Sequence, residues 1–116
     1  MTEVESEITE KADNVLKTIT DKARDLYNKC ADAYAETLDK NSNEYAAFNQ
    51  QRENFDNNIE VDAKKAKKKN ENVAYDNLFH AYDTMIRYYT TKPEVAVKVD
   101  LSGYRKEVSD LLDTIV

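Results

Sequence analysis

The side chains best suited to chemistry lie around the single histidine of the sequence. Asp76, His80 and Asp83 are spaced at i, i+4 and i+7, which places them on one face of a helix. Carboxylate and imidazole groups at this spacing can hold a divalent cation. A metal site inside a helical bundle also needs matching ligands from a facing helix, and the sequence has no second motif of this kind. We therefore expect an exposed or interfacial histidine, with no metal and no cofactor.

Cys30 is the single cysteine, so it cannot form a disulfide within the chain, and a reducing cytosol is the expected compartment. It lies between Leu26 and Tyr34 on an apolar helix face, which favours a small buried hydrophobe over a reactive thiol. The sequence contains no P-loop, glycine-rich turn, nucleophile elbow or zinc-ligand spacing. Because active sites usually lie on loops and this chain has few, we expect a protein that is not an enzyme.

A cluster of lysines is the strongest local charge. Lysine side chains in this density bind either a phosphate backbone or an acidic protein surface. They surround a helix instead of following one face, and the chain has a net charge of −6. An electrostatic docking site for an acidic partner is therefore favoured over nucleic-acid binding. The residues are Lys64, Lys65, Lys67, Lys68 and Lys69.

The composition predicts the elements that position these residues. With one Gly and one Pro, the chain has few turn residues, so a few long helices are expected and sheets are not. The expected fold is all-α, an elongated antiparallel hairpin or bundle of three to four helices in a single domain, residues 1–116. The predicted helices span about 3–38, 43–68, 72–91 and 102–115. Helical spacing also persists through residues 64–72, so one continuous helix over 43–91 is the alternative.

The first helix carries an apolar stripe with an 11-residue period. Val4, Val15 and Leu26 show the period, and Ile8 and Ile19 repeat it four residues later. Eleven residues in three turns is close to the natural helical repeat, so the stripe stays on one face with little supercoiling. A helix of this length measures roughly 55 Å. This is too long for a compact domain of 116 residues.

Capping signals mark the other helix boundaries. Asn41 and Glu44 have a capping-box spacing before the second helix, and Thr91 and Glu94 have the same spacing after the third. Asp100 or Ser102 is expected to cap the last helix. The alternating valines of residues 95–99 fit an extended linker, a short helix or an edge strand.

Two apolar surfaces are predicted to bind a partner. The first is on the stripe, and the second is the aromatic segment of the third helix, where apolar residues occupy more than one face. Tyrosines on both surfaces suit interfaces, because the ring is buried while the hydroxyl stays near water. The stripe residues are Val15, Ile19, Leu26, Tyr27 and Tyr34. The aromatic-segment residues are Tyr75, Phe79, Tyr82, Ile86 and Tyr89.

The leading functional hypothesis is a protein-binding assembly subunit that self-associates or docks on a protein partner, as in a phage or bacterial assembly. The alternative is a small acidic inhibitor or decoy that binds a basic site on an enzyme. Nucleic-acid binding through Lys64–Lys69 is a third, weaker hypothesis. No apolar run is long enough to span a membrane, so no membrane partner is expected. The expected location is the bacterial cytoplasm, or the virion or host cytoplasm if the source is a phage.

Overall fold

The computed structural model describes the backbone of residues 3–67 and 71–114, and the side chains of residues 14–61, 64 and 75–114. Its elements are five helices: α1 (Glu3–Glu36), α2 (Asn43–Lys67), α3 (Glu71–Tyr89), α4 (Pro93–Ala96) and α5 (Leu101–Asp113). The predicted all-α fold is confirmed. The bundle measures 59 × 30 × 14 Å, so it is elongated, as the length of α1 led us to expect. No helix in the described ranges has the length and hydropathy needed to cross a membrane.

Contacts between aromatic rings give the directions of the first three helices. Tyr27 and Tyr34 of α1 contact Tyr82 and Tyr89 of α3 in the same order, so α1 and α3 are parallel. The same α1 rings meet their partners on α2 in the reverse order, so α2 is antiparallel to both. Because α2 and α3 pack side by side in opposite directions, they are separate helices. The alternative of one continuous helix over residues 43–91 is therefore wrong.

The helices α2 and α5 cover opposite sides of the α1–α3 pair. On α3, Met85 and Tyr88 face α2. Asp83, on the other side of α3, accepts a hydrogen bond from the hydroxyl of Tyr104 in α5. Two ion pairs give the direction of α5. Lys22, near the middle of α1, pairs with Glu107, whereas Glu36 at the end of α1 pairs with Lys98, just before α5, so α5 runs antiparallel to α1. The main neighbour of α1 is thus α3, and the two outer helices complete the bundle.

The core follows the apolar stripe of α1 as far as the side chains are described. Ile19, Ala23 and Cys30 are at most 1% exposed. The buried face is wider than the stripe, because α1 has neighbours on three sides and also buries Tyr27 and Ala31. The side chains of the first stripe residues, Val4, Ile8 and Ala12, lie outside the described ones. The wider face accounts for the burial of α1 along residues 14–36, where its side chains are described.

The starts of α2 and α5 agree with the capping rules, although the capping residue of α2 differs from the predicted one. At α2 the Ser42 hydroxyl accepts a hydrogen bond from the Tyr45 N–H at 3.1 Å, so Ser42 performs the role predicted for Asn41. At α5 the Asp100 carboxylate accepts from the Gly103 N–H at 2.9 Å, as one of the two expected caps. A Cβ at position 103 would contact that carboxylate, so a larger residue there would require the Asp100 side chain to shift.

The segment after α3 forms a short helix, one of the three alternatives for the alternating valines. The single turn of α4 spans Pro93–Ala96, with Val95 fully buried and Val97 82% exposed. The predicted Thr91 cap is wrong, because its hydroxyl donates backwards to the Tyr88 carbonyl at 2.6 Å. The fixed φ of proline favours the first helical position, so the chain enters α4 without a side-chain cap.

The stripe assignment can be tested with a charge. Ile19→Asp places an unpaired carboxylate at a position that is 1% exposed, so we expect a loss of more than about 4 kcal/mol of unfolding free energy. That is a large share of the roughly 5–15 kcal/mol of a typical domain. Thr18→Asp on the exposed side of the same turn is the matched control and should change stability by less than about 0.5 kcal/mol. Urea unfolding followed by circular dichroism measures both, and similar midpoints would show that the stripe is misassigned.

Candidate functional site: an aromatic groove between α2 and α3

Six aromatic residues form two layers across α1, α2 and α3. Each helix contributes two rings spaced seven residues apart, which is close to two helical turns and keeps both rings on one face. In the first layer the Tyr27 ring lies 5.1 Å from Phe55 and 5.4 Å from Tyr82. All of these rings pack in tilted or edge-on geometry, as aromatic pairs prefer. The second layer consists of Tyr34, Phe48 and Tyr89.

The outer side of these layers opens to solvent as a groove between α2 and α3, which we call the aromatic groove. Its volume is about 260 Å³. Tyr88 is 55% exposed and forms part of the open side. The small side chain of Ala47 leaves room at the wall formed by α2. The lining residues are Tyr27, Tyr34, Glu44, Ala47, Phe48, Gln51, Arg52, Phe55, Met85, Tyr88 and Tyr89.

One polar atom in the lining lacks the hydrogen bond that its burial calls for. The residue Tyr27 is 1% exposed, and its hydroxyl has no hydrogen-bond partner among the described residues. Burial raises the pKa of this hydroxyl, and the negative charge of Asp56 raises it further. A buried hydroxyl without a partner costs about 1–3 kcal/mol. The hydroxyl therefore lies beneath the groove lining, close to Asp56, and is closed to solvent.

Charged side chains flank the groove. The Lys92 ammonium lies 5.1 Å from the centre of the Tyr34 ring and 5.3 Å from that of Tyr88, within cation–π range of both. The Arg52 guanidinium donates to Asp32 at 2.8 Å and to Asn28 at 3.2 Å, so it is held against α1. These contacts fix side chains at the rim of the groove before anything binds. The site is therefore largely formed in the free protein.

The predicted partner-binding residues divide into core and groove. Val15, Ile19 and Leu26 of the stripe are buried inside the bundle, where a partner cannot reach them in the folded chain. Tyr27 and Tyr34 lie in the aromatic groove. In the aromatic segment, Tyr89 also lines the groove, Tyr75 and Phe79 are partly exposed, and the remaining two, Tyr82 and Ile86, are core residues.

The α2 wall of the groove was not predicted as a binding surface. Phe48 and Phe55 are recognisable in the sequence as apolar positions of α2, and Met85 and Tyr88 as positions of α3. The shared seven-residue spacing of the aromatic pairs was a usable signal for the layers. Of the lysine cluster, Lys64 is exposed. The side chains of Lys65, Lys67, Lys68 and Lys69 lie outside the described ones.

Asp76, His80 and Asp83, the candidate metal ligands, lie in two different environments. His80 Nε2 lies 3.4 Å from Asp76, and both side chains are exposed. Asp83 is 8% exposed and faces α5. It accepts a hydrogen bond from Arg87 Nε of its own helix at 2.8 Å and one from the Tyr104 hydroxyl of α5 at 3.2 Å. Among the described residues, no group of three or more metal-type ligands comes together. Asp83 thus joins α3 to α5.

Cys30 lies in the core, as the stripe predicted. It is fully buried, and this burial raises the pKa of its thiol to about 11. Nucleophilic cysteines depend on the thiolate, which a raised pKa disfavours. The thiol therefore contributes packing volume next to the second aromatic layer.

Comparisons with known proteins found no match to this chain among protein-family models, curated proteins or solved structures. The site is therefore interpreted from its own geometry.

The same substitution at two buried tyrosines should change stability in opposite directions. Tyr27→Phe removes a hydroxyl without a partner, so we expect unfolding free energy to stay level or rise by about 1 kcal/mol. Tyr104→Phe removes a donor from the buried Asp83 carboxylate, so we expect a loss of about 1.5–3 kcal/mol. Urea unfolding at neutral pH gives both values. A loss at Tyr27 as large as that at Tyr104 would mean that the Tyr27 hydroxyl is bonded in solution.

Four buried tyrosines should make the fold sensitive to alkali. Burial raises the pKa of Tyr27, Tyr82 and Tyr104, and raises that of Tyr89 to about 12 from an ordinary value of 10.0. Because the folded pKa is the higher one, the stabilisation is complete below pH 10 and is lost as pH rises through the folded values.

We therefore expect unfolding free energy to fall steeply from about pH 10 upward. Urea titrations at pH 8, 10 and 11.5 measure this, with tyrosinate absorbance recorded in parallel. Tyr89→Phe should reduce the slope. Complete tyrosine ionisation near pH 10 with an unchanged circular dichroism spectrum would contradict the expectation.

Proposed function

We propose that this protein is a non-enzymatic protein-binding subunit of a larger assembly and that its docking site is the aromatic groove. The observation that carries the proposal is the open aromatic lining of the groove, where Tyr88 is 55% exposed beside Phe48, Phe55 and Met85. A concave surface lined mainly by aromatic and apolar side chains is typical of a binding site. The ligand must therefore present an apolar surface to this lining.

The size of the aromatic groove favours a side chain of a protein over a cofactor. Its volume of about 260 Å³ is below the roughly 300–1,000 Å³ of sites that hold drug-sized ligands and cofactors. A tyrosine or tryptophan side chain has an apolar ring that suits this lining and a polar atom that can stay near water at the rim. We infer that the partner presents such a residue from an amphipathic helix, which fits between the two antiparallel helices of the groove.

The energetics of a docking anchor agree with this geometry. Buried tyrosine and tryptophan residues contribute about 2 kcal/mol or more at the centres of protein interfaces. In this groove the anchor would stack against Phe48, Met85 and Tyr88, and its polar atom would lie at the open side near the exposed Gln51. Because Arg52 and Lys92 are already held in place, binding orders few additional side chains.

The distribution of charge supports an apolar docking site more than an acidic decoy surface. Along the described part of the bundle, acidic residues of α1 pair with basic ones of other segments, as in Arg52–Asp32 and Lys98–Glu36. Asp21 pairs with Arg24 on α1 itself. These ion pairs offset part of the acidic charge on the described part of α1, whereas an inhibitor of a basic site needs one uninterrupted acidic face.

The ability of the groove to bind an aromatic side chain can be tested with p-cresol, the side-chain analogue of tyrosine. We expect saturable binding with a Kd on the order of 1 mM, since about 0.5 kcal/mol per heavy atom is within the range of small ligands. Backbone amide shifts of Ala47, Gln51 and Tyr88 in NMR titrations report the location.

A matched pair of variants provides the control. Ala47→Trp fills the groove and should abolish p-cresol binding, whereas Ala46→Trp on the exposed neighbouring position should leave it unchanged. Thermal melts of both verify that the bundle is folded. The proposal fails if p-cresol does not bind saturably up to its solubility, or if it binds equally well to folded Ala47→Trp.

A further inference from the structure

A second groove lies on the opposite side of α3, between α3 and α5. Its volume is about 340 Å³. The middle of this face is apolar: Phe79 is partly exposed, Val108 forms the floor, and Leu112 is 37% exposed. The bond from Tyr104 to the buried Asp83 fixes α5 against α3. Part of the apolar surface of this face is exposed to water.

The two ends of this α3–α5 face carry opposite charge. Arg87 and Arg105 lie at the end near Tyr104, since the positive charges of both act on its hydroxyl. Because α5 runs antiparallel to α3, Asp113 lies at the other end, toward the exposed Asp76. Arg105 and Asp113 are separated by two helical turns, about 12 Å. The face thus has a positive end, an apolar middle and a negative end.

We propose that this face binds a second copy of the chain, with a twofold axis through the middle of the groove. A surface with opposite charges at its two ends is complementary to itself when one copy is rotated by half a turn. Arg105 of each copy then meets Asp113 of the other, and Arg87 meets Asp76. Leu112 of each copy is covered by the apolar strip of the other. A partner with an all-acidic or all-basic surface matches only one end.

The inference goes beyond the proposed function and uses a different surface. The α3–α5 face and the aromatic groove lie on opposite sides of α3, so dimerisation leaves both aromatic grooves open. A dimer would therefore present two docking sites to the larger assembly. Two linked sites increase the apparent affinity for a partner array without any new contact.

The size of the face predicts a weak dimer. The 13 residues of α5 extend for about 20 Å, and two adjacent helices are also about 20 Å wide. The roughly 400 Å² of this outline is about half of the ~800 Å² per partner in a standard stable interface. We therefore expect dimerisation at protein concentrations from about 0.1 to 1 mM, and less of it at high salt.

The test uses charge reversals at the two ends, followed by sedimentation equilibrium at low ionic strength. Wild-type protein should dimerise. Arg105→Glu alone and Asp113→Arg alone should each be monomeric, because each places like charges opposite one another twice in a homodimer. An equimolar mixture of the two single variants should dimerise again, since both contacts are then complementary. The double variant should also recover the dimer.

The controls separate a failed interface from a damaged fold. Both positions are exposed, so the thermal unfolding midpoints of both variants should stay near that of the wild type. Ala46→Trp, on the other side of the bundle, should not change the dimer. A monomeric wild type at 1 mM overturns the proposal, as do single variants that still dimerise or a mixture that stays monomeric. The p-cresol experiment is independent of these outcomes, because the aromatic groove lies outside this interface.

Discussion

The parallel contact between α1 and α3 determines the rest of the architecture. Small or shape-matched residues allow it, since Ala23 and Cys30 of α1 and Ile86 of α3 are completely buried. Two parallel helices place their macrodipoles side by side in the same direction, which is electrostatically unfavourable. The two outer helices run the other way and offset this effect. They also cover the apolar edges that a two-helix pair leaves open.

Hydrophobic periodicity predicted the helices and their buried faces, because a helix and the direction of its apolar face both depend on residues that are close in sequence. The Ile19 and Ala23 positions of the stripe are core positions, and the starts of α2 and α5 lie within one or two residues of the capping signals. Periodicity gives the direction in which a helix is apolar but not the helix that it meets there. The parallel pairing of α1 with α3 therefore did not follow from the sequence, and the choice between one helix and two over residues 43–91 stayed open.

The aromatic groove was less predictable than the core, because it too depends on which helices pack together. Its lining comes from three helices, and what distinguishes Tyr27 from the other tyrosines is a missing hydrogen bond, which no local pattern encodes. The local signal at Thr91 predicted a cap that the proline after it replaced. Likewise, His80 and Asp83 share a helical spacing but face different surroundings. Contacts between distant residues decide all three cases.

The seven-residue spacing of the two aromatic layers has a consequence for the uniqueness of the fold. Sliding α2 by one layer, about 10 Å, would keep one of its two rings in an aromatic layer and leave the other ring without aromatic partners. The observed register therefore differs from the shifted one by a single layer of ring contacts. Directional polar contacts add to that difference, because Arg52 reaches both Asp32 and Asn28 in the observed register. The Thr20 hydroxyl, which bonds the Leu16 carbonyl of its own helix at 2.6 Å, also lies 3.1 Å from the Tyr75 carbonyl of α3. A core built from repeated aromatic layers thus takes part of its specificity from the polar contacts at its edge.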